Sequence, residues 1–446
     1  MKIILLTPGT GSYHCGVCMR DNALAKELIR QGHDAVMLPM YLPLTLDETA
    51  ASPETPIFFG GVSTYLREKV PWLRHMPRWL DRLLSQPALL RLLAGKAAKT
   101  GGPDVAEMTL SMLRGDEGNQ ASELDALIDW LRESGKLDAI WLSTALQAGL
   151  ARRIKTQLGV PVIGFLQGED TFLDSLGAPW SGRAWALLAQ RMRDADLWIA
   201  PSRYFAELMA RRLGWNAAEA AHRLVVIPNG ISLDGYSAAP PPPPAVPTIG
   251  YLARFLPAKG LGLLIEAFIR LKQRGSAAKL RCAGSMTDTD ARYVETLQAG
   301  LAAAGCAADV EWRPNVSREE KISFLEGLTV FSVPAIYSEA FGQYVIEALA
   351  AGVPVVLPRA SAFPEIVESS GGGRLFDLGT SEAENAERLA DALEALLADP
   401  AQARALGRRG HEAARREFSM ARLAERLVAA TREISAAPLA APKATG

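Results

Sequence analysis

Cysteine is scarce in this chain: four in 446 residues cannot build a disulfide framework. The expectation is a reducing compartment in which the thiols stay reduced. Long apolar runs are missing too. No window approaches the roughly 20 uncharged apolar residues of a membrane-spanning helix. The opening "MKIILLTPG" breaks at Thr7-Pro8-Gly9, short of the about 7–15 apolar residues of a secretory signal, so it reads as a first buried strand and points to a cytoplasmic protein. There is also no excess charge of either sign. Lys and Arg number 48 against 49 Asp and Glu, a formal net charge of −1, which leaves no whole-chain basic field to hold nucleic acid.

What is present is globular. Apolar residues make up 49% and charged ones 22%, and the length exceeds one core, so two domains of roughly 200 residues are expected. Short apolar runs alternate with helical patterns throughout. In the first half these runs are "KIILLT", "DAVMLP", "AIWLS", "VPVIGFL", "DLWIAP" and "RLVVIPNG"; in the second, "TIGYLAR", "AKLRCAG", "DVEW", "LTVFSVP", "VPVVLP" and "GRLFDL". Between them "SAAPPPPPAVP" carries Pro240 to Pro244, an extended spacer unfit for sheet or helix. Strands alternating with helices imply βαβ units. The predicted fold class is therefore α/β: two Rossmann-like, doubly wound parallel-sheet domains, residues 1–238 and 248–416, joined by a 239–247 linker and facing a central cleft at their strand C-termini. Residues 436–446 read as a flexible tail.

The stretch "SEAFGQYVIEALAAGVPVVLP" places Glu339 and Glu347 eight apart with Gly342 between them. A helix starting near Gly342 puts Glu339 in the preceding loop and Glu347 in the second turn. The backbone N–H groups of Phe341, Gly342, Gln343 and Tyr344 would then face a phosphate or sugar oxygen. Two solvated glutamates on an ordinary amphipathic helix would give the same spacing. A second stretch, "GYLARFLPAKGLGLLIEAF", sets Arg254 and Lys259 in a loop between strand and helix, where they could clamp a pyrophosphate or be two surface charges.

Taken together these residues resemble the retaining, nucleotide-sugar-dependent GT-B glycosyltransferases of family 4. The resemblance rests on the E-x7-E motif from Ser338 to Val356, the R-[FL]-x-x-x-K-G loop from Arg254 to Gly260, "VIPNGIS" at 226–232 and the crossover-like end "FSMARLAERL" from Phe418. It implies that Arg254 and Lys259 hold the donor pyrophosphate, that Glu347 holds the ribose hydroxyls and that Glu339 lies against the transferred sugar. It further implies donor contacts at Gly16, Gly284 and Val316. Residues 1–238 become the acceptor side, with a helix at 417–435 packing back on them, and 248–416 the donor side. Transfer would proceed with retention, without metal or other cofactor beyond the nucleotide-sugar co-substrate. A nucleotide-sugar epimerase or a non-catalytic sugar-nucleotide binder are the alternatives.

Three further features need weighing. Asp288-Thr289-Asp290 spells the D-x-D of metal-dependent transferases of another fold, but stands where aspartates cap a helix. In "GSYHCGVCMRDNALAKEL" the family's first glycine is replaced by Cys15, ahead of Gly16. His14 with Cys15 and Cys18 supplies three ligands where zinc commonly takes four, so a substrate loop is the reading, with redox-sensitive thiols as an alternative. In "GFLQGED" the family's histidine is Gln167, and Gln167, Glu169 and Asp170, with His14, are candidate sugar or acceptor contacts. Finally, residues 69–99 hold seven Lys or Arg against Asp81 alone, with Trp72, Met76, Trp79, Leu80 and Leu83 at helical spacing. This is either a lid with a packed apolar face or a peripheral membrane contact serving a lipid-linked acceptor; a sugar or small-molecule acceptor fits the lid.

Overall fold

The computed structural model describes residues 1–9, 16–46, 48–53, 55–59 and 102–436. His14, Cys15, the 69–99 segment and the tail from 437 lie outside the described residues.

Each apolar run forms a strand. In the first half these are β1 (Lys2–Pro8), β2 (Asp34–Met40), β3 (Ala139–Leu142), β4 (Val162–Phe165), β5 (Leu197–Ala200) and β6 (Leu224–Val226). The second half holds β7 (Thr248–Leu252), β8 (Lys279–Gly284), β9 (Val310–Pro314), β10 (Val330–Phe331), β11 (Val355–Pro358) and β12 (Gly373–Phe376). They pair in two six-stranded sheets of order β2-β1-β3-β4-β5-β6 and β12-β11-β10-β7-β8-β9, with every pairing parallel. Helices cover a parallel sheet on both faces, which is why central strands such as Ile3–Leu6 and Ile140–Leu142 are continuous apolar runs, fully buried. At the sheet edge β6 relaxes this rule, and Val225 and Val226 are exposed.

The chain divides into two compact units. One comprises Met1–Pro201, Phe205–Ile227 and Leu423–Gly446; the other comprises Ser202–Tyr204 and Pro228–Arg422. The proline run 240–244 thus falls inside the second unit, and the end of the helix Met420–Ala436 counts with the first.

Strand order locates the ligand side of each sheet. In the second sheet the order reverses between β7 and β10, paired through Val330 with Ile249 and Phe331 with Gly250. The loops leaving those two strands meet at the carboxyl edge, the side on which doubly wound sheets bind ligands. One of these loops carries Arg254 and Lys259; the other carries Glu339. Gly260 ends the first loop at φ +73°, and a Cβ there would stand 2.0 Å from the Pro334 carbonyl oxygen. Only glycine lets the β7 loop close on the strand-β10 exit.

Candidate active site

The second unit assembles its charged groups at that switch point. Lys259 closes a short turn, Pro257–Lys259, just before the helix Leu261–Gln273. Its Nζ donates to Glu339 Oε2 at 2.7 Å and to the Tyr337 hydroxyl. Its charge also sits 4.8 Å from the Tyr337 ring centre and 5.3 Å from that of Tyr344, an aromatic enclosure favourable to a cation. The same Glu339 oxygen accepts from Tyr344 Oη at 2.7 Å and Tyr337 Oη at 3.1 Å. Burial, then the Glu339 carboxylate, raise the Tyr344 phenol well above its usual range, so it remains a protonated donor.

Gly342 is the N-cap of the helix Gln343–Ala350. The Phe341–Tyr344 stretch thus enters a helix whose first N–H groups lack intrahelical partners. Phe341 is buried edge-on to Phe418, ring centres 6.2 Å apart. Glu347, in the second turn, pairs with Lys321 at 2.8 Å.

Arg254 is exposed but oriented. Its Nε and Nη2 donate to the buried Asp290 carboxylate at 3.3 Å. Asp290 also accepts from the Thr287 N–H at 2.9 Å and hydroxyl at 2.8 Å, capping the helix Asp288–Ala303. Burial pushes the Asp290 carboxyl up, but the Thr287 donors and Arg254 guanidinium outweigh it and hold it below the ordinary aspartate value. The D-x-D lookalike is therefore half cap and half arginine holder. Gly284, at φ +143°, ends β8 with its would-be Cβ 1.9 Å from the Ala253 carbonyl oxygen, so any side chain would push the Arg254 loop away. Val316 is half-buried against the core beyond β9.

The first unit is organised differently. Gly16 opens the helix Gly16–Arg30. Within it Cys18 is buried, its Sγ donating to the Pro8 carbonyl at 2.9 Å. Asp21, fully buried, accepts from Thr7 at 2.8 Å, from Ser143 and from Arg20 Nε at 2.9 Å. The Arg20 guanidinium lies 4.7 Å from the Phe165 ring centre, at the end of β4. Glu169 is buried and receives four donors: Thr144 Oγ1 at 2.7 Å and the N–H groups of Ala145, Gln167 and Gly168 at 2.9, 2.8 and 3.1 Å. Its carboxylate holds the β3 and β4 exit loops together. Gln167 Nε2 and Asp170 Oδ1 are buried and have no hydrogen-bond partner among the described residues.

Sequence reasoning missed Tyr337, Lys321, Asp290 as a holder of Arg254, and the Arg20–Asp21 pair. Tyr337, Lys321 and Asp290 act through partners 78, 26 and 36 positions away; Arg20 and Asp21 are adjacent, but their burial needs the sheet. No helix among the described residues is long and apolar enough to cross a membrane.

Two doubly wound parallel sheets, one with the Lys259–Glu339 pair at its switch point, form a frame common among nucleotide-binding enzymes, and comparison with known proteins makes the class specific. Residues 236–413 match the family model described as glycosyl transferases group 1, and residues 105–234 the model of Glycosyltransferase Family 4. The two adjoining matches cover more than half of the chain. The protein is a glycosyltransferase of GT-B fold and belongs to family 4.

Among curated relatives, it is 28% identical over 330 residues to the GDP-mannose-dependent alpha-(1-6)-phosphatidylinositol monomannoside mannosyltransferase of Mycolicibacterium smegmatis, covering 70% of this chain and 79% of that one. It is 32% identical over 228 residues to alpha-maltose-1-phosphate synthase of the same organism, covering 48% of this chain and 58% of that one. Among solved structures, a sucrose-phosphate synthase from Thermosynechococcus elongatus matches with TM-score 0.68 at 19% identity, over 98% of this chain and 100% of that one. Anabaena HepE in complex with UDP and glucose matches with TM-score 0.65 at 16% identity, over 97% and 99%.

Proposed function

We propose that this glycosyltransferase moves a sugar from a nucleotide-diphosphate sugar to an acceptor hydroxyl, with retention at the anomeric carbon and without a metal ion. The observation that carries the reading is the β7 exit loop, which bears both Arg254, held by Asp290, and Lys259, paired with Glu339 from the β10 exit at the switch point. Breaking the bond between the sugar C1 and the phosphate oxygen puts negative charge on the departing diphosphate. Lys259 and Arg254 are the fixed cations to receive it, and the N–H groups at Gly342–Tyr344 add a positive helix end. Asp290, the one well-buried member of the D-x-D lookalike, is spent on Thr287 and Arg254, so the cations take the part that a divalent ion plays elsewhere.

In this scheme the diphosphate draws Lys259 from Glu339, and the carboxylate turns to the hydroxyls of the transferred sugar. Tyr337 and Tyr344 keep it in place during that exchange. Glu347 takes the ribose, while Gly284 and Val316 line the nucleotide on the second unit; Gly16, opening the first helix of the other unit, is kept as a donor contact of that unit. The acceptor oxygen bonds to C1 on the face that the diphosphate leaves, and its proton passes to the departing phosphate oxygen; no protein nucleophile is used. Gln167 and Asp170, with unpartnered polar atoms, are the acceptor or sugar contacts of the first unit, with His14. Glu169 serves as the residue that positions their loop.

A thermal-shift screen with UDP, GDP and ADP, each with and without EDTA, tests the reading. A bound diphosphate at 100 times its Kd stabilises by about 2.7 kcal/mol. No shift with any of the three refutes it, and turnover abolished by EDTA and restored by manganese refutes the metal-free part. Proton NMR of the product's anomeric signal tests retention. For the acceptor, the first relative acts on a phosphatidylinositol mannoside, and the basic, tryptophan-bearing 69–99 segment suits a lipid-linked acceptor at an anionic surface. Co-sedimentation with anionic vesicles at low salt supports that acceptor class; a protein left in the supernatant favours a water-soluble sugar.

A further inference from the structure

Resting on the ribose role of Glu347, we propose that Lys321 is a positioning residue of the donor site: it pins one oxygen of Glu347 so that the other meets the ribose diol of the nucleotide.

Lys321 lies on the helix Arg318–Glu326, whose start is fixed by a reciprocal cap. Ser317 N–H donates to Glu320 at 2.7 Å, and Glu320 N–H donates to Ser317 Oγ at 3.2 Å. That cap follows Val316 directly, so the candidate donor contact at Val316 and the lysine at 321 flank one capped helix start. From it Lys321 Nζ reaches Glu347 Oε1 at 2.8 Å, with the two side chains 15% and 14% exposed. Ion pairs this enclosed are screened far less than surface pairs.

The two glutamates of the E-x7-E motif each have a lysine, but they use it differently. Glu339 gathers Lys259, Tyr337 and Tyr344 on a single oxygen. Glu347 takes Lys321 on Oε1, and its Oε2 accepts no hydrogen bond among the described residues. A glutamate's terminal torsion is broad, so an unheld carboxylate would sample many orientations. Held by Lys321, it offers one acceptor in a fixed direction, which suits a pair of neighbouring hydroxyls. Lys321 also offsets the Glu347 charge, which would otherwise oppose a diphosphate bound nearby.

The test is isothermal titration of the wild type, Lys321→Met, Lys321→Arg and Glu347→Gln with UDP, GDP and ADP, each beside its 2′,3′-dideoxy counterpart. The wild type is expected to prefer the ribose form of its nucleotide by about tenfold or more, as hydrogen bonds to a charged group allow. Lys321→Met should lose most of that preference while binding the dideoxy form nearly as well as before. Lys321→Arg should restore the preference. Should Lys321→Met fold poorly because Glu347 is left uncompensated, Lys321→Gln replaces it: the amide keeps polarity but is too short to reach Glu347 Oε1 in the native geometry, and the same loss is expected with the Glu347 carboxylate intact. Equal weakening toward ribose and dideoxy forms overturns the proposal and makes the pair a structural staple. An unchanged preference in Lys321→Met overturns it as well. A wild type without ribose preference, matched by Glu347→Gln, overturns the ribose role itself, an outcome recognisable because it needs no change at Lys321.

Discussion

Both sheets carry charged groups at their carboxyl edges, but the two edges hold those charges in opposite ways. In the first unit Arg20 and Asp21 have side chains only 1% and 0% exposed, and Glu169 has four donors. None of these three can leave its partners without stranding a buried charge. In the second unit the cations are reachable: Arg254 is 42% exposed over a 4% exposed Asp290, and Lys259 is 20% exposed beside Glu339. Such a cation can trade its carboxylate for an incoming phosphate, because solvent and ligand replace what is lost. Full burial of both partners thus marks a pair that builds a loop, whereas the pairs proposed to meet a ligand keep part of their surface exposed.

The comparison can be broken most forcefully at Asp21. Asp21→Ala should cost about 3–5 kcal/mol, since it leaves Arg20 buried and uncompensated. A lowered urea midpoint at unchanged slope is the expected measurement. An undiminished midpoint with lost turnover would instead make this pair part of the chemistry.

Lys259→Ala is the mirror case. Release of nucleoside diphosphate from the donor should fall about 10²–10³-fold, with a melting temperature near that of the wild type. A collapse in stability at equal turnover would erase the distinction between the two edges.

Asp290→Asn should fall between these extremes. Asparagine still caps the helix but no longer anchors Arg254 by charge, so the donor KM rises and stability drops by about 1 kcal/mol, the difference between a charged and a neutral hydrogen-bond acceptor. The pH dependence sharpens this. The native carboxyl titrates below its ordinary value, so its stabilisation is present at neutral pH and is lost as pH falls through and below the usual aspartate range, about pH 4. Acid unfolding profiles should show that loss in the wild type and less of it in Asp290→Asn. Asp288→Asn, two residues away on an exposed side chain, should change neither turnover nor melting.

Much of this was legible in the chain itself. The apolar runs announce parallel strands, because strands covered on both faces have no polar side to show. The Arg254–Lys259 loop and the Glu339–Glu347 spacing could be read because each is local, set by a strand end, a glycine and one helix. The D-x-D lookalike was legible as a cap but not as the holder of Arg254, since the two residues are 36 positions apart. Glu169 reads from the sequence as a sugar or acceptor contact, and only the neighbouring β3 exit loop shows that its oxygens are occupied.

The sequence alone determined the strand–helix alternation, the glycines that permit close loop approach, and the charged residues placed after each strand. Tertiary structure decided which of those charges are partners. Lys259 meets Glu339 and Tyr337 across about 80 residues, and Lys321 meets Glu347 across 26. A pairing of that kind depends on strand order: β10 lies beside β7 rather than β9, and only that crossover brings the two loops to one switch point. Periodicity within a segment reports which face is buried, but it carries no information on which segment will cover it.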